Sequence, residues 1–205
     1  MTELPMFPLG SVLFPSVFLP LHVFEPRYRV LARHCMDGDQ EFGVVLIERG
    51  SEVGGDDVRT SVGTVAHIVE AAELDDGRWV LGTIGTRRIR VREWLPDDPY
   101  PRADVEEWDD ASPTTETLDA YSVVLSRLRR VLALKAELAE PAVDATIELS
   151  DDPALGSFQV AAVAPLGPAD QQRLLQADGP DERLRLLDSL LREENDYLAA
   201  RLQMG

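Results

Sequence analysis

The chain is poor in the residues from which most recognisable sites are built. A single cysteine, Cys35, excludes a disulfide framework and a cysteine-based zinc site. Three histidines, His22, His34 and His67, show neither HxxxH nor HxH spacing, so no transition-metal site and no metal cofactor are expected. One lysine, Lys135, is present, and Asp and Glu outnumber Lys and Arg by 37 to 20. The resulting net charge of −17 and pI near 4.5 give a field that repels phosphate backbones. No GxSxG and no Walker A sequence occurs: "GTIGTR" (82–87) lacks the glycine–lysine pair, and no helical pattern follows "GSEVGG" (50–55). No apolar run reaches the ~18–20 residues that cross a bilayer. The most apolar early stretch, "VLFPSVFLPLHVF" (12–24), holds two prolines and a histidine. With an acidic residue at position 3 and no basic leader, no secretory signal is expected, and the expectation is a cytoplasmic protein with no membrane partner.

What is present reads as two halves. Residues 4–24 alternate short apolar pieces with Pro5, Pro8, Pro15 and Pro20, and two strands are predicted near 4–9 and 17–23. Pro26 suits the first position of a helix whose stripe is Tyr28, Leu31, Ala32, Cys35 and Met36, ended by "DGD". "EFGVVLIER" (41–49) is too short an apolar run for a helix and reads as a buried strand, followed by an acidic, glycine-rich loop over 50–59. "VGTVAHIVEAAEL" turns at "DDG" into "RWVLGTIGTRRIRVREWL", and "RADVEEW" is the last strand. From Thr115, with Thr114 or Thr115 as cap, the pattern becomes helical: Leu118, Tyr121, Leu125, Leu128 and Leu132 form one stripe. Short helices follow near 154–163 and from Pro168, then a long one with Leu184, Leu187, Leu191, Tyr197 or Leu198, and Leu202. The fold class expected is α+β, with a β-rich domain over 1–110 and a helical subdomain over 111–205.

The polar groups have structural readings. The paired carboxylates, such as Asp56–Asp57, Asp75–Asp76, Asp109–Asp110 and Asp151–Asp152, fall mostly in predicted turns, where Asp bonds neighbouring amides. Cys35 lies on an apolar stripe and reads as a packing thiol. The compact cluster His22, Glu25, Arg27, Tyr28 and Arg29 marks a strand-to-helix corner, where Glu25 complements the helix dipole and stands four residues from Arg29. Arg88, Arg90 and Arg92 alternate with Ile89 and Val91, which predicts a strand with one basic face.

The stretches "LPMFPLGSVLFPSVFLPLHVFEPRYRVLARHCMDGDQEFGVVLI", "VGTVAHI", "DGRWVLGTIGTRRIRV" and "PYPRADVEEW" resemble the N-terminal, substrate-binding domain of Lon proteases. The resemblance is strong over 4–108 and looser in the helical half. It implies a PUA-like pseudo-barrel followed by a helical bundle, and recognition of unfolded or extended polypeptide segments. With no Walker motif or peptidase segment, the expectation is a stand-alone, non-catalytic substrate-recognition or adaptor module in protein quality control, working with a separate protease or chaperone. The outward faces of Glu25, Arg27 and Arg29, and the basic side chains Arg88 and Arg90, are the expected contact points. The alternative is a PUA-like nucleic-acid-binding protein, which the acidic charge disfavours.

Overall fold

The computed structural model describes residues 2–50 and 58–204. The acidic loop expected over 50–59 falls largely outside them, apart from Gly50, Val58 and Arg59. Among the described residues six strands and five helices follow one another as β1 (Thr2–Leu9), β2 (Phe18–Val23), α1 (Pro26–Asp37), β3 (Glu41–Arg49), β4 (Val58–Glu73), β5 (Trp79–Leu95), β6 (Arg102–Glu107), α2 (Thr117–Glu137), α3 (Pro153–Val163), α4 (Pro168–Leu175) and α5 (Pro180–Met204). Two compact units divide the chain, Met1–Asp109 and Asp110–Gly205.

In the first unit the strands run in the order β2-β5-β4-β3-β1-β6, and an additional β5–β6 pairing closes all but β2 into a ring. The 17-residue β5 makes this possible. Its first half pairs with β2, from Phe18↔Ile84 to Val23↔Trp79, and its second half with β6. β1 is bordered by β6 along Thr2–Pro5 and by β3 along Met6–Leu9. The Met6 amide donates to the Pro101 carbonyl at 2.8 Å, on the β6 side. By alternation Pro8 turns its donor-less nitrogen to that side, where β6 has ended, and Pro5 turns its own to the other side, where β3 has not begun. That is how one strand holds two prolines and still has two neighbours.

Two cores result. Leu4, Met6, Val45, Val65, Ile89, Val91, Ala103 and Val105 form one cluster. In the other, α1 places Tyr28, Leu31, Ala32 and Cys35 against Phe7, Val23, Phe42, Ile68, Trp79 and Leu81, with Phe7 and Tyr28 stacked at 4.1 Å. Close approach needs glycine at position 63, where a Cβ would lie 2.1 Å from the Val44 carbonyl oxygen.

The second unit is built of α2–α5. Proline opens α3, α4 and α5, as it opens α1, because its missing amide is one of the helix's unpaired donors in any case. Asp152 caps α3 through the Ala154 amide at 3.1 Å. The α2 stripe differs from the expected one: Leu118 is exposed, and Thr117, Tyr121, Val124, Leu128, Val131, Leu132 and Leu134 are buried. Neither Thr114 nor Thr115 is its cap residue; Glu116 holds that position, and the Thr117 hydroxyl accepts the Thr114 amide at 2.8 Å. On α5 Leu184, Leu187, Leu191 and Leu198 are buried, whereas Tyr197 and Leu202 are exposed. The sealed Arg183 anchors this unit. Its guanidinium donates to both oxygens of Asp110 (2.8 and 3.0 Å) and to Ser157 (2.9 Å), over the Phe158 ring at 3.5 Å. Asp110 therefore has a different task from the turn role expected of it.

Candidate functional site

The corner between β2 and α1 is assembled differently from the expected pairing. Glu25 occupies the N-cap position without a side-chain cap bond, and its carboxylate meets Arg27 at 3.3 Å instead of Arg29. The Arg27 guanidinium lies 4.6 Å from the centre of the Tyr28 ring. Arg29 reaches the β4–β5 turn, where a Cβ on Gly77 would fall 1.9 Å from its Nη2. His22 is exposed on β2. On β5 the expected alternation holds for Ile89 and Val91, which are buried, and for Arg90 and Arg92, which are exposed, but Arg88 departs from it. Arg88 is buried, at 3% exposure, and donates to the Asp109 carbonyl at 3.4 Å. Arg88 and Arg90 both place their guanidinium 4.2 Å from the Trp108 ring centre, and Arg92 is bound by Glu106 at 2.5 Å. The Trp108 indole thus engages two of these guanidiniums and the Glu106 carboxylate the third.

A different surface stands out beside the corner. β2 and the first half of β5 turn Phe18, Pro20 and His22 and their partners Ile84, Gly82 and Val80 to the same outer face. Phe18 is 56% exposed, Val80 45% and Ile84 37%, and Phe24, at the end of β2, is 53% exposed. The opposite phase of the strand is anchored: Val23 and Leu81 are buried, and the Thr83 hydroxyl donates to the Leu19 carbonyl at 2.8 Å. Gly82 leaves room for the Phe18 ring, two of whose carbons would lie 3.2 Å from a Cβ there. On β4, opposite Gly82, stands Glu70. Next to this face a hollow of about 190 Å³ is lined by Phe7, Leu9, Leu21, Val23, Phe24 and Tyr28, among others. Exposed aromatic and β-branched residues over an ordered sheet suit apolar side chains of another molecule.

A wider groove, of about 490 Å³, runs along Thr2–Pro5, α1 and the 98–102 turn. Several of its charged side chains are already matched. Arg87 holds both oxygens of Glu41 at 2.8 and 2.7 Å, Arg102 holds Glu3 at 3.0 Å, and His34 meets the Tyr100 hydroxyl. Bonding to Arg87 keeps the Glu41 carboxyl below the usual range. Burial pushes the Cys35 thiol up to about 12, and it donates to the Glu41 carbonyl, so it is a packing group and not a nucleophile. Among the described residues no group of three or more His, Cys, Asp and Glu side chains could hold a metal, and no helix is long and apolar enough to cross a membrane.

The outer face of β2 and β5 was not legible beforehand. The alternation that exposes Phe18 is masked in "FLPLHVF" by apolar residues on both phases, which reads as burial on both sides.

Against known proteins, residues 3–193 match the family model described as the ATP-dependent protease La (LON) substrate-binding domain. Lon protease 2 of Herpetosiphon aurantiacus is 30% identical over 200 residues, covering 96% of this chain and 24% of its own length. Lon protease of Escherichia coli is 29% identical over 202 residues, covering 96% of this chain and 25% of its own. The chain thus spans about a quarter of the length of the Lon proteases it matches. Among solved structures, the Lon N-terminal domain protein from Xanthomonas campestris has a TM-score of 0.67 at 31% identity, covering 91% of this chain and 97% of that one. The N-terminal domain of the Mycobacterium avium complex Lon protease has a TM-score of 0.70 at 17% identity over 93% of this chain and 98% of that one, a likeness of fold.

Proposed function

Because the chain belongs to the ATP-dependent protease La (LON) substrate-binding domain family, we infer that it is a non-catalytic polypeptide-binding module, recognising unfolded or extended segments for protein quality control. A PUA-like barrel serves as its scaffold, and a separate protease or chaperone acts on what it holds. The observation that carries this reading is the ordered apolar outer face of β2 and β5, with Phe18, Val80 and Ile84 open to solvent. Contiguous exposed apolar residues mark interaction surfaces, and covering the exposed part of an aromatic side chain such as Phe18 contributes about 1 kcal/mol. Unfolded chains offer many apolar side chains to such a face, and native ones few. Titration of reduced, alkylated lysozyme into the protein in a calorimeter tests this. Saturable binding of the unfolded form, and none of native lysozyme, is expected; no heat with either form at high concentration refutes it.

A further inference from the structure

The recognition surface has a backbone component as well as an apolar one. β2 pairs with β5 alone, so one of its edges has no neighbouring strand among the described residues. The phase of that ladder is fixed where it begins: the Gly85 amide donates to the Val17 carbonyl at 3.0 Å. Register then runs without a shift from Phe18↔Ile84 to Val23↔Trp79. Alternation in an antiparallel pair therefore turns the backbone groups of Phe18, Pro20 and His22 to the open edge. The edge offers two amide donors, on Phe18 and His22, and three carbonyl acceptors. Beside it lies the hollow walled by Phe7, Leu9, Leu21 and Tyr28.

We propose that, given the polypeptide-binding reading above, an extended cationic segment of another polypeptide adds as a strand to the open edge of β2. Its apolar side chains, on alternate residues, enter the hollow, and the residues between, lysines or arginines among them, lay their aliphatic stems beside Phe18 on the outer face with the charged ends in water. Edge addition uses main-chain bonds for affinity and alternate pockets for selectivity. Two observations choose this occupant over a second copy of the chain. Pro20 is the middle outward-facing residue, so two β2 edges paired about it would forfeit both bonds of the central pair. Each copy also carries a net charge of −17, which opposes self-association and attracts a cationic partner. Glu70 is on the same outer face but on β4, with β5 between it and β2, so it adds to the negative field around the edge without pairing directly with an added strand.

The test uses a ten-residue peptide alternating valine with lysine and threonine, titrated into the full chain. Amide hydrogen exchange, read by NMR at saturation, is expected to slow at least about tenfold at Phe18 and His22. A series of peptides with one N-methyl group at each successive position is expected to give a period of two in affinity. Alternate positions lose about tenfold, the equivalent of one hydrogen bond, and those between stay within about twofold. Replacing the lysines by glutamate weakens binding. Unchanged exchange at Phe18 and His22 with a flat N-methyl series, while the peptide still binds, overturns strand addition and leaves the polypeptide-binding reading intact. Failure of both this peptide and unfolded lysozyme to bind overturns that reading itself.

Discussion

Cys35 is sealed between α1 and the start of β3, and burial holds its thiol protonated up to about 12. A thiol reagent at pH 8 is therefore expected to leave the native protein unlabelled and to modify one cysteine once the chain is denatured. Labelling of the folded form at the denatured rate would contradict the packing role. Glu41 is the second residue with a clear signature. The Arg87 guanidinium bonds its carboxylate and lowers its proton affinity in the folded state, so the pair stabilises the fold above the ordinary glutamate range, near ~4.3. That stabilisation is lost as pH falls through the lowered folded value. In thermal melts, Glu41→Gln should lower Tm at pH 7 and differ little from the parent at the acid end. An equal deficit at both ends would show that packing, and not charge, is at stake. Arg27, Arg29, Arg88 and Arg90 carry the same lesson in reverse: their charge was visible in the sequence, whereas their engagement by Tyr28, the Gly77 turn and Trp108 depends on partners far along the chain or on chain direction at a corner.

At the scale of elements, strands and helices with local signals were legible. Pro26 and Pro168 announced two helix starts, and "DDG" announced the β4–β5 turn, because a proline nitrogen or a left-handed glycine acts through its own backbone; Pro153 and Pro180 open helices in the same way. On α2 Tyr121, Leu128 and Leu132 are buried as expected, but Leu118 is exposed and Leu125 half-buried, because both fit helical spacing whether or not a neighbour covers them; burial of Val124 and Val131 fixed the face. Long-range partners were not legible either, and the Arg183–Asp110 pair is the main case. Arg183→Met leaves Asp110 without its buried partner and is expected to cost about 3–5 kcal/mol. Its readout is the urea midpoint of helical circular dichroism. Adding Asp110→Leu should recover part of that loss, since replacing both members of a buried ion pair by apolar groups is often close to neutral. A single variant as stable as the parent would remove Arg183 from its anchoring role.

For the whole molecule, charge and apolar surface act together. With a net charge of −17, binding of a cationic unfolded polypeptide should weaken as salt rises from about 50 to 200 mM, while binding of a neutral one changes little. Equal salt dependence for both would confine recognition to apolar contact. The chain spans about a quarter of the Lon proteases it resembles, so its own contribution is best judged by what this length of chain binds. The central claim is that the outer face of β2 and β5 holds polypeptide. It is tested most directly by comparing the parent with a Phe18→Ser/Ile84→Ser variant in titrations of reduced, alkylated lysozyme, with Tm measured on both. Since Phe18 is 56% and Ile84 37% exposed, Tm should fall only modestly, and the affinity should fall at least about tenfold, the loss of roughly one apolar anchor. Equal affinity for the parent and a well-folded variant would contradict the account.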